Sequence, residues 1–518
     1  MRDVRILWTD DEIDLLKPHI LFLEEKGYLV STATNGDDAL EKVENEEFDI
    51  IFLDENMPGK SGLETLSGIK KMNPDIPVIM ITKSEEENIM DEAIGSKISD
   101  YLIKPVNPRQ VLLSIKKYVD TKRLVSEKTI SDYQQAFGKL GQEINMADNF
   151  VDWVDIYRRL VYWQLEMTEQ EETGMDEILQ MQFSDANSEF GKFIAKNYKK
   201  WISGEEEAPL MSHMLMREKV FPLLAEEENI FLLLIDNFRY DQWRTIHSLI
   251  TELYTVEEDL LYCSILPTAT QYARNAIFSG LMPSDIAKKY PDLWLHDEES
   301  GGKNLKEREL FLEHLKILKK DVFTFYAKIN QQKEGLKMLD KLPDLLSKQM
   351  VILIFNYIDM LSHARTEMDM IKELAKDEAA YRSLTLSWFK HSPLYALLKE
   401  LQDKNVKIVL TTDHGTVRVR NAQKIIGDRN TSTNLRYKNG KALNYKDSQA
   451  FAFNNPEDIK LPRTHVSTSY IFAKNYDYFV YPKNYNYYVN YYKDTFQHGG
   501  ISMEEMLVPF IVLSPKEK

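Results

Sequence analysis

Short, continuous runs of apolar residues alternate with amphipathic segments over residues 1–120. Such runs are typical of strands buried on both faces of a parallel sheet, and the amphipathic segments have the three- and four-residue spacing of helices. Five strand–helix units in succession predict a doubly wound α/β domain. The predicted strands are VRILWT (4–9), YLVSTA (28–33), DIIFLD (49–54), PVIMIT (77–82) and DYLIK (100–104).

Between residues 121 and 206 the apolar pattern is helical and shows no clear strands. Trp153, Tyr157 and Leu160 recur at helical spacing, with charged residues between them. The pattern predicts two to four helices in a small bundle, and we interpret the aromatic stripe as core rather than as a binding face. We expect these helices to be stiff enough to transmit a displacement, because a helix backbone is internally hydrogen-bonded.

Strand and helix alternate again, on a larger scale, over residues 207–518. Ligands bind at the carboxyl ends of parallel strands, because those ends lie at one edge of the sheet. The pattern therefore predicts a second, larger α/β domain with a functional site at that edge. Four apolar runs end in polar residues or are followed by them: FLLLID (231–236), ILPTAT (265–270), VILIF (351–355) and IVLTTDHG (408–415).

Polar residues close the strands of the first predicted domain. Asp10 and Asp11 follow the first strand and Asp54 ends the third, whereas Thr82 and Lys104 end the fourth and fifth. Three neighbouring carboxylates repel one another unless a cation lies between them, and hard oxygen ligands suit Mg²⁺. A carboxylate placed there can attack phosphorus, while a lysine and a threonine hydroxyl bind the phosphoryl oxygens. The pattern predicts a magnesium-dependent phosphoryl site.

This arrangement, together with the stretch DENMPGKSG (54–62), resembles the receiver domain of two-component response regulators. The resemblance implies a CheY-like fold, a phosphoacceptor at Asp54, a sensor histidine kinase as partner, and a homodimer on phosphorylation. The alternative is a flavodoxin-like domain in which the acidic residues have no such role. The implied magnesium ligands are Asp10, Asp11, Asp54 and the backbone carbonyl of Asn56, and the implied switch residues are Thr82, Tyr101 and Lys104.

The strand ends of the larger domain carry aspartate, histidine and threonine side chains. Asp413 and His414 are adjacent, and Asp359 and His363 lie four residues apart, which places both on one face of a helix. Such oxygen and nitrogen donors suit Zn²⁺. Each residue taken singly has an alternative as a helix cap or a hydrogen-bonded buried histidine. The whole candidate set is Asp236, Thr270, Asp359, His363, Asp413, His414 and His498.

The order Asp, Thr, Asp-x-x-x-His, Asp-His, His resembles the alkaline phosphatase superfamily. The resemblance implies two zinc ions and a phospho-threonine formed on Thr270. Threonine at this position is common in the superfamily's phosphodiesterases, so we favour a diester, such as an oligonucleotide or a cyclic nucleotide, over a monoester. The implied ligands are Asp359, His363 and His498 for one ion, and Asp236, Asp413, His414 and the Thr270 hydroxyl for the other.

Three features of the larger domain have two interpretations each. Arg274, one helical turn after Thr270, could bind a non-bridging phosphate oxygen or form a surface ion pair. A basic stretch over residues 416–446 could form a rim over the metals or a solvated loop. The aromatic stretch 476–492 could stack on bases or pack in strands. The cations of the basic stretch are Arg418, Arg420, Lys424, Arg429, Arg436, Lys438, Lys441 and Lys446.

Composition narrows the classes of function. The formal net charge of −17 argues against a general duplex-DNA binder, and we identify no helix-turn-helix in the helical middle. The single cysteine, Cys263, excludes an internal disulfide and fits a reducing cytosol. No run reaches the about 18–20 apolar residues of a membrane span, and residues 1–12 do not resemble a signal peptide. We therefore expect a cytoplasmic protein.

The order of a receiver domain (1–120), a helical middle (121–206) and a PglZ-type, alkaline-phosphatase-like domain (207–518) resembles response regulators associated with type IX secretion. The resemblance implies a sigma factor and components of the secretion machinery as further partners. A second class of function stays open, in which the large domain is a metal-stabilised docking module that signals by binding alone.

Overall fold

The computed structural model contains two compact units, one formed by residues 1–135 and one by residues 136–518. The structure describes residues 4–83, 98–169, 173–226, 229–299, 301–428, 431–441, 443–446 and 449–516.

A five-stranded parallel sheet forms the centre of the first unit. Its strands are β1 (Arg5–Thr9), β2 (Leu29–Ala33), β3 (Ile50–Asp54), β4 (Val78–Thr82) and β5 (Asp100–Ile103). Its helices include α1 (Lys17–Glu25), α2 (Gly36–Asn45), α3 (Gly62–Met72) and α4 (Pro108–Ile115). Successive side chains of a strand point to opposite faces, so Leu7 and Ile51 fill one core while Ile6 and Phe52 fill the other. The strand order β2-β1-β3-β4-β5 confirms the predicted CheY-like doubly wound fold.

Three long helices form the middle of the chain: α5 (Thr121–Met146), α6 (Phe150–Glu169) and α7 (Thr173–Ser203). Trp153, Tyr157 and Leu160 of α6 are buried, and the Trp153 ring packs edge-on against Phe190 of α7 at 5.4 Å between centroids. The apolar stripe faces inward because burial of its rings stabilises the helix pairing. The prediction of a helical segment with an aromatic core is confirmed.

The remaining chain alternates strands and helices. The strands are β6 (Ile230–Ile235), β7 (Tyr254–Cys263), β8 (Thr324–Ile329), β9 (Met350–Phe355), β10 (Lys407–Thr411), β11 (Val417–Arg418), β12 (Asn421–Lys424), β13 (Tyr437–Lys441), β14 (Phe451–Phe453), β15 (Thr468–Phe472), β16 (Asp477–Val480), β17 (Phe496–Gln497) and β18 (Leu507–Pro515). The helices are α8 (Phe221–Glu226), α9 (Tyr240–Leu253), α10 (Thr270–Ser279), α11 (Pro283–Lys289), α12 (Glu307–Ile317), α13 (Gln332–Asp340), α14 (Leu342–Leu345), α15 (Tyr357–Glu367), α16 (Asp369–Leu374), α17 (Glu378–His391), α18 (Pro393–Leu401), α19 (Tyr485–Tyr492) and α20 (Met503–Met506).

A six-stranded sheet of order β7-β18-β10-β6-β9-β8 organises these elements. Strands β10, β6, β9 and β8 are parallel, and β18 runs antiparallel to β10 and β7. The predicted large α/β domain is therefore confirmed, although the β7–β18 pair was not predicted, since pairing between distant segments leaves no local pattern. Because β10, β6 and β9 are neighbours, the residues that follow them meet at one edge of the sheet.

Residues 416–497 add three small sheets, β11-β17, β12-β16 and β13-β15-β14. The basic stretch therefore contains paired strands, and its interpretation as a solvated loop is wrong. The aromatic stretch 476–492 divides into strand β16 and helix α19, so strand packing accounts for only part of it. Among the residues described, no helix is both long and apolar enough to cross a membrane.

Candidate active site and phosphoacceptor site

The strand ends of the first unit bring three carboxylates together. One oxygen each from Asp10, Asp11 and Asp54 lies within 4.8 Å of the others. The Lys104 ammonium donates to Asp10 Oδ2 at 2.8 Å and lies 2.9 Å from Asp54 Oδ1. Asn56, whose backbone carbonyl was the further expected ligand, follows in the loop after β3 and is exposed. The arrangement offers a divalent cation an oxygen-rich position beside a lysine.

The charges in this site are strongly coupled. Burial raises the pKa of the Asp54 carboxyl, the hydrogen bond from Lys104 lowers it, and the neighbouring charge of Asp10 raises it again, with a net rise above the ordinary value. Burial would lower the pKa of Lys104, but its bonds to Asp10 and Asp54 raise it overall. A bound cation would relieve the repulsion between the carboxylates.

Glu55 was not singled out in the sequence, yet it contacts the expected switch threonine. The buried Thr82 hydroxyl donates to Glu55 Oε2, and the Tyr101 ring is exposed on β5. A phosphoryl group on Asp54 would compete with Glu55 for the Thr82 hydroxyl. The sequence shows an acidic residue, Glu55, directly after the candidate phosphoacceptor, but it does not show that Glu55 accepts a hydrogen bond from Thr82 on the neighbouring strand.

The strand ends of the larger domain bring two further triads together. Asp236 follows β6, and Asp413 and His414 follow β10, its parallel neighbour. Helix α15, which follows β9, carries Asp359 in its first turn and His363 one turn later. In each triad, one donor atom per residue lies within 4.8 Å of the others; the triads are Asp359, His363 and His498, and Asp236, Asp413 and His414.

The two triads lie side by side. The His414 and His498 rings stack with 4.3 Å between centroids. His498 Nε2 lies 3.8 Å from Asp359 Oδ1, and His414 Nε2 lies 3.8 Å from both Asp236 Oδ1 and Asp413 Oδ2. These separations are wider than hydrogen bonds and leave room for an ion between the donors.

Backbone carbonyls orient two of the imidazoles. His414 Nδ1 donates to the Gly415 carbonyl at 3.0 Å, and His498 Nδ1 donates to the Thr268 carbonyl at 3.2 Å. Each bond fixes the tautomer in which Nε2 carries no proton, so that its lone pair faces the triad and can bind a metal ion. His363 is different, because its side chain is 62% exposed and approaches Asp359 Oδ2 at 3.6 Å from the solvent side.

Thr270 lies at the second triad. It is the first residue of α10, and its Oγ1 lies 3.1 Å from His414 Nε2 and 3.4 Å from Asp236 Oδ1. The helix N-terminus favours a negative charge at this position. Cys263, the single thiol, is buried at the end of β7, and burial raises its pKa, so it is neither exposed nor ionised. The hydroxyl of Thr270 is therefore the better placed nucleophile.

The donor set fits zinc on two observations. Asp413 Oδ2 is buried and has no hydrogen-bond partner in the described part of the chain, which a cation would supply. Burial and the charge of Asp236 raise the pKa of Asp413, and burial together with His414 lowers the pKa of His498 far below its ordinary value. A neutral imidazole beside concentrated carboxylates is the donor chemistry that zinc selects.

Asn237 connects the triads and was missed by sequence reasoning. Its backbone N–H donates to Asp413 Oδ1 at 3.5 Å, and its side-chain amide donates to Asp359 Oδ1 at 3.3 Å. It is fully buried with φ of 64°, a left-handed conformation that is uncommon outside glycine. An Asn directly after a strand-end Asp was the available sequence signal.

Arg274 is buried, with 1% of its surface exposed. Its NH1 donates to Asp236 Oδ2 at 2.8 Å and its Nε donates to Glu307 Oε1 at 2.7 Å. The interpretation as a surface ion pair is therefore wrong, because the pairing partners are buried carboxylates, one directly after β6 and one on α12. Burial pulls the pKa of Asp236 upward, but the Arg274 charge and then His414 lower it overall. Arg274 thus holds Asp236 ionised and in place.

A cavity of about 720 Å³ opens in front of His363 and His498. Thr431, Asn434 and Tyr437 line it, so part of the basic stretch borders the triad that contains His363 and His498. The cations do not all face solvent: Arg436 is buried and bonds to Glu505 Oε2 at 2.5 Å, and Lys438 is buried as well. Arg429 lies outside the described residues.

One short turn, formed by helix α20, forms hydrogen bonds with both segments that carry His414 and His498. The Gly415 N–H donates to the Glu505 carbonyl, and the Gly500 N–H donates to Glu505 Oε1 at 2.8 Å. A Cβ on Gly415 would overlap the Glu504 carbonyl oxygen, which explains the glycine. Asn187 of α7 binds the same turn: its amide oxygen accepts from Met503 N at 2.7 Å and its amide group donates to Glu504 Oε2 at 2.9 Å.

Comparisons with known proteins divide the chain as the fold does. Family models described as "Response regulator receiver domain", "PorX response regulator linker domain" and "BREX system PglZ alkaline phosphatase-like domain" match residues 6–116, 123–202 and 215–513. The fold and the matched families define a receiver domain joined to an alkaline-phosphatase-like domain. Since the third match covers more than half of the sequence, the chain belongs to the BREX system PglZ alkaline phosphatase-like domain family.

Individual relatives resemble the first unit. The transcriptional regulatory protein ZraR of Klebsiella oxytoca is 37% identical over 139 residues, which are 27% of this chain and 31% of ZraR. ResD of Bacillus subtilis is 34% identical over 114 residues, 22% of this chain and 47% of ResD. The chain thus spans less than half of these relatives. A CheY-like receiver structure from Methanospirillum hungatei is 33% identical, with a TM-score of 0.23, and covers 23% of this chain and 95% of its own.

Proposed function

We propose that the chain is a two-component response regulator whose larger domain is a di-zinc phosphodiesterase acting on nucleotide-type diesters. In this proposal a sensor histidine kinase phosphorylates Asp54, and Thr270 is the nucleophile of the larger domain. The carrying observation is the position of Thr270 Oγ1, at the start of α10 and 3.1 Å from His414 Nε2, beside two adjacent Asp/His triads. A hydroxyl beside paired metal positions suits phosphoryl transfer.

The protein groups have separable roles in this reaction. Two bound zinc ions would supply Lewis acidity, which lowers the pKa of a hydroxyl and neutralises charge on the phosphate. The Thr270 oxygen forms a bond to phosphorus as the bond from phosphorus to the leaving alcohol breaks. Hydrolysis of the phospho-threonine then releases the phosphomonoester and restores the Thr270 hydroxyl. Asn237 and Arg274 keep the carboxylates in position through the hydrogen bonds described above.

A docking function without catalysis is the second candidate. Its supporting observation is the buried, ion-paired framework around Arg274 and Arg436, which would stabilise a metal-containing fold whether or not it turns over substrate. The cytoplasmic location and the control of type IX secretion belong to the phosphodiesterase proposal, whereas binding to a sigma factor and to the secretion machinery without essential catalysis belongs to the docking function. These roles are supported by the resemblance of the chain to response regulators associated with type IX secretion and by the match of residues 123–202 to a PorX linker domain.

Replacement of His363 by alanine is expected to remove one of two zinc ions. His363 supplies one of three donors to its triad. Its side chain is exposed, so the truncation should leave the fold intact and the second triad should keep its ion. Metal analysis after dialysis against a weak chelator should give about two zinc ions per chain for the wild type and about one for the variant. Hydrolysis of bis(4-nitrophenyl) phosphate should fall with the lost ion.

His391→Ala is the matched control, since His391 is an exposed histidine at the end of α17. It should retain the zinc content and turnover of the wild type. Two ions in the His363→Ala protein, or a single ion in the wild type, would contradict the di-zinc proposal. Zinc binding without any diester hydrolysis would favour the docking function.

A phosphoryl mimic is expected to convert the monomer into a dimer. Beryllofluoride with Mg²⁺ places a charged group on Asp54 beside Lys104, where it competes with Glu55 for the Thr82 hydroxyl and changes the β4–β5 face. Light scattering should report a mass that rises about twofold. Asp54→Ala is the blank and should stay monomeric. An unchanged wild-type mass would exclude control by dimerisation.

A further inference from the structure

A second cavity, of about 660 Å³, adjoins the cavity of the catalytic centre. Thr431, Thr433, Leu435 and Tyr492 line both cavities, so these side chains form the boundary between them. Its volume is in the range of sites that hold small organic ligands. None of the residues assigned to phosphoryl transfer lines this second cavity.

The cavity has aromatic walls. Tyr481 and Phe479 come from the end of β16, and Tyr488 and Tyr492 come from α19. The Tyr488 and Tyr492 rings are nearly parallel, with 5.9 Å between centroids. Tyr488 is 36% exposed, so its ring is available for contact with a ligand. Tyrosine faces of this kind stack on planar rings with little dependence on their identity.

A buried lysine supplies the cavity with a cation. Lys438 is 1% exposed, its Nζ donates to the Ser432 carbonyl at 2.9 Å and lies 4.7 Å from the Tyr481 ring centroid. No carboxylate of the described residues lies within ion-pair distance of it. A buried ammonium without a counter-ion is unfavourable unless a ligand supplies the anion. Burial lowers the pKa of Lys438 to about 7, which an adjacent anion would raise again.

The balance of charge in the cavity also favours an anion. Lys438 and Lys483 are its lysines, and Asp428 is the single carboxylate among its described lining residues. The Asp428 carboxylate already accepts from Thr431 Oγ1 at 3.2 Å. A planar ring linked to an anionic group matches both the tyrosine walls and the lysines, and that pairing is the chemistry of a nucleotide unit.

We infer that this cavity is a substrate subsite that binds a second nucleotide unit of the diester, with its ring on the Tyr488–Tyr492 face and its terminal phosphate at Lys438. The inference rests on the proposed phosphodiesterase function. It makes Lys438 and Tyr488 specificity-determining residues for substrates that extend past the scissile phosphate, whereas a small bis-aryl phosphate has no group to place there.

The test compares two substrates in matched variants. Lys438→Met and Tyr488→Ala are each paired with a neighbour that lines neither cavity, Lys441→Met on the same strand and Tyr487→Ala on the same helix. The substrates are bis(4-nitrophenyl) phosphate and a dinucleotide with a 5′-terminal phosphate. In Lys438→Met and Tyr488→Ala, kcat/KM for the dinucleotide should fall at least about tenfold relative to kcat/KM for the aryl ester. The control variants should keep the wild-type ratio.

Binding provides a readout that does not depend on turnover. Calorimetric titration of zinc-loaded Thr270→Ala protein with the same dinucleotide should show at least about tenfold weaker affinity when Lys438→Met or Tyr488→Ala is added. A parallel fall for both substrates, or unchanged affinity, overturns the subsite and leaves the phosphodiesterase intact. If the wild type hydrolyses neither substrate, the proposed function fails, and the titration still decides whether the cavity binds the nucleotide. Since Tyr488 is exposed, its variant remains informative should Lys438→Met fail to fold.

Discussion

Thr270→Ala is expected to lower kcat/KM for bis(4-nitrophenyl) phosphate by at least about a thousandfold, because it removes the hydroxyl oxygen that forms the bond to phosphorus in the proposed reaction. The residue begins the helix and lies within hydrogen-bond reach of His414. The triads keep their aspartate and histidine donors, so zinc content should stay near that of the wild type. The measurement is steady-state hydrolysis together with metal analysis of the same preparation.

Thr270→Ser is the conservative partner of this variant. It keeps a hydroxyl at the same position, so it should retain measurable hydrolysis while the alanine variant does not. Turnover by Thr270→Ala at a rate near the wild type would remove Thr270 from the mechanism. A cellular phenotype that survives Thr270→Ala but is lost when the larger domain unfolds would instead favour signalling by docking.

Arg274→Met is expected to lower the free energy of unfolding of the zinc-free protein by about 3–5 kcal/mol. The guanidinium is the closest cationic partner of Asp236 and also neutralises the buried Glu307. After its removal Glu307 keeps Lys328 at 2.8 Å, but Asp236 keeps only the imidazole of His414 at 3.8 Å. An uncompensated buried carboxylate is strongly destabilising. Denaturant unfolding of chelator-treated protein measures the loss.

Zinc should restore more stability to Arg274→Met than it adds to the wild type, because a bound cation replaces the missing charge beside Asp236. Arg217→Met is the control: Arg217 is 61% exposed and pairs with Glu218, so its loss should change stability by less than about 0.5 kcal/mol. Equal losses with and without zinc would show that Arg274 acts on the fold alone and not on the charge of the metal ligands.

The strands and the meeting of the aspartates that follow them could be predicted because their signals are local, whereas the division into two triads followed from the resemblance to the alkaline phosphatase superfamily. Parallel strands buried on both faces appear as apolar runs, and the residues that follow them share an edge, so Asp236, Asp359 and Asp413 were expected together and lie together. His498 was placed by the two glycines that follow it and by the resemblance to the alkaline phosphatase superfamily, since the short strand β17 before it has no distinctive pattern.

The supporting residues could not be predicted, because their roles depend on partners from distant segments. Glu307 and Arg274 lie on different helices and meet only after α10 and α12 pack together. Asn237 adopts a positive φ, and no pattern in the sequence predicts this conformation. The aromatic stretch was ambiguous because tyrosine suits both β16, where packing decides, and α19, where the rings reach the surface.

The bond between Asn187 and the turn before β18 bears on how this architecture could be recombined. A junction at residue 207 would separate α7 from the larger domain and leave Met503 N and Glu504 without their amide partner. The same turn forms hydrogen bonds with Gly415, which directly follows His414, and with Gly500, which lies two residues after His498. An exchange of input domains that leaves the larger domain intact would therefore cut within α5, ahead of the helices that pack on the larger domain. The unit that must be transferred intact is the phosphatase-like domain together with α6 and α7.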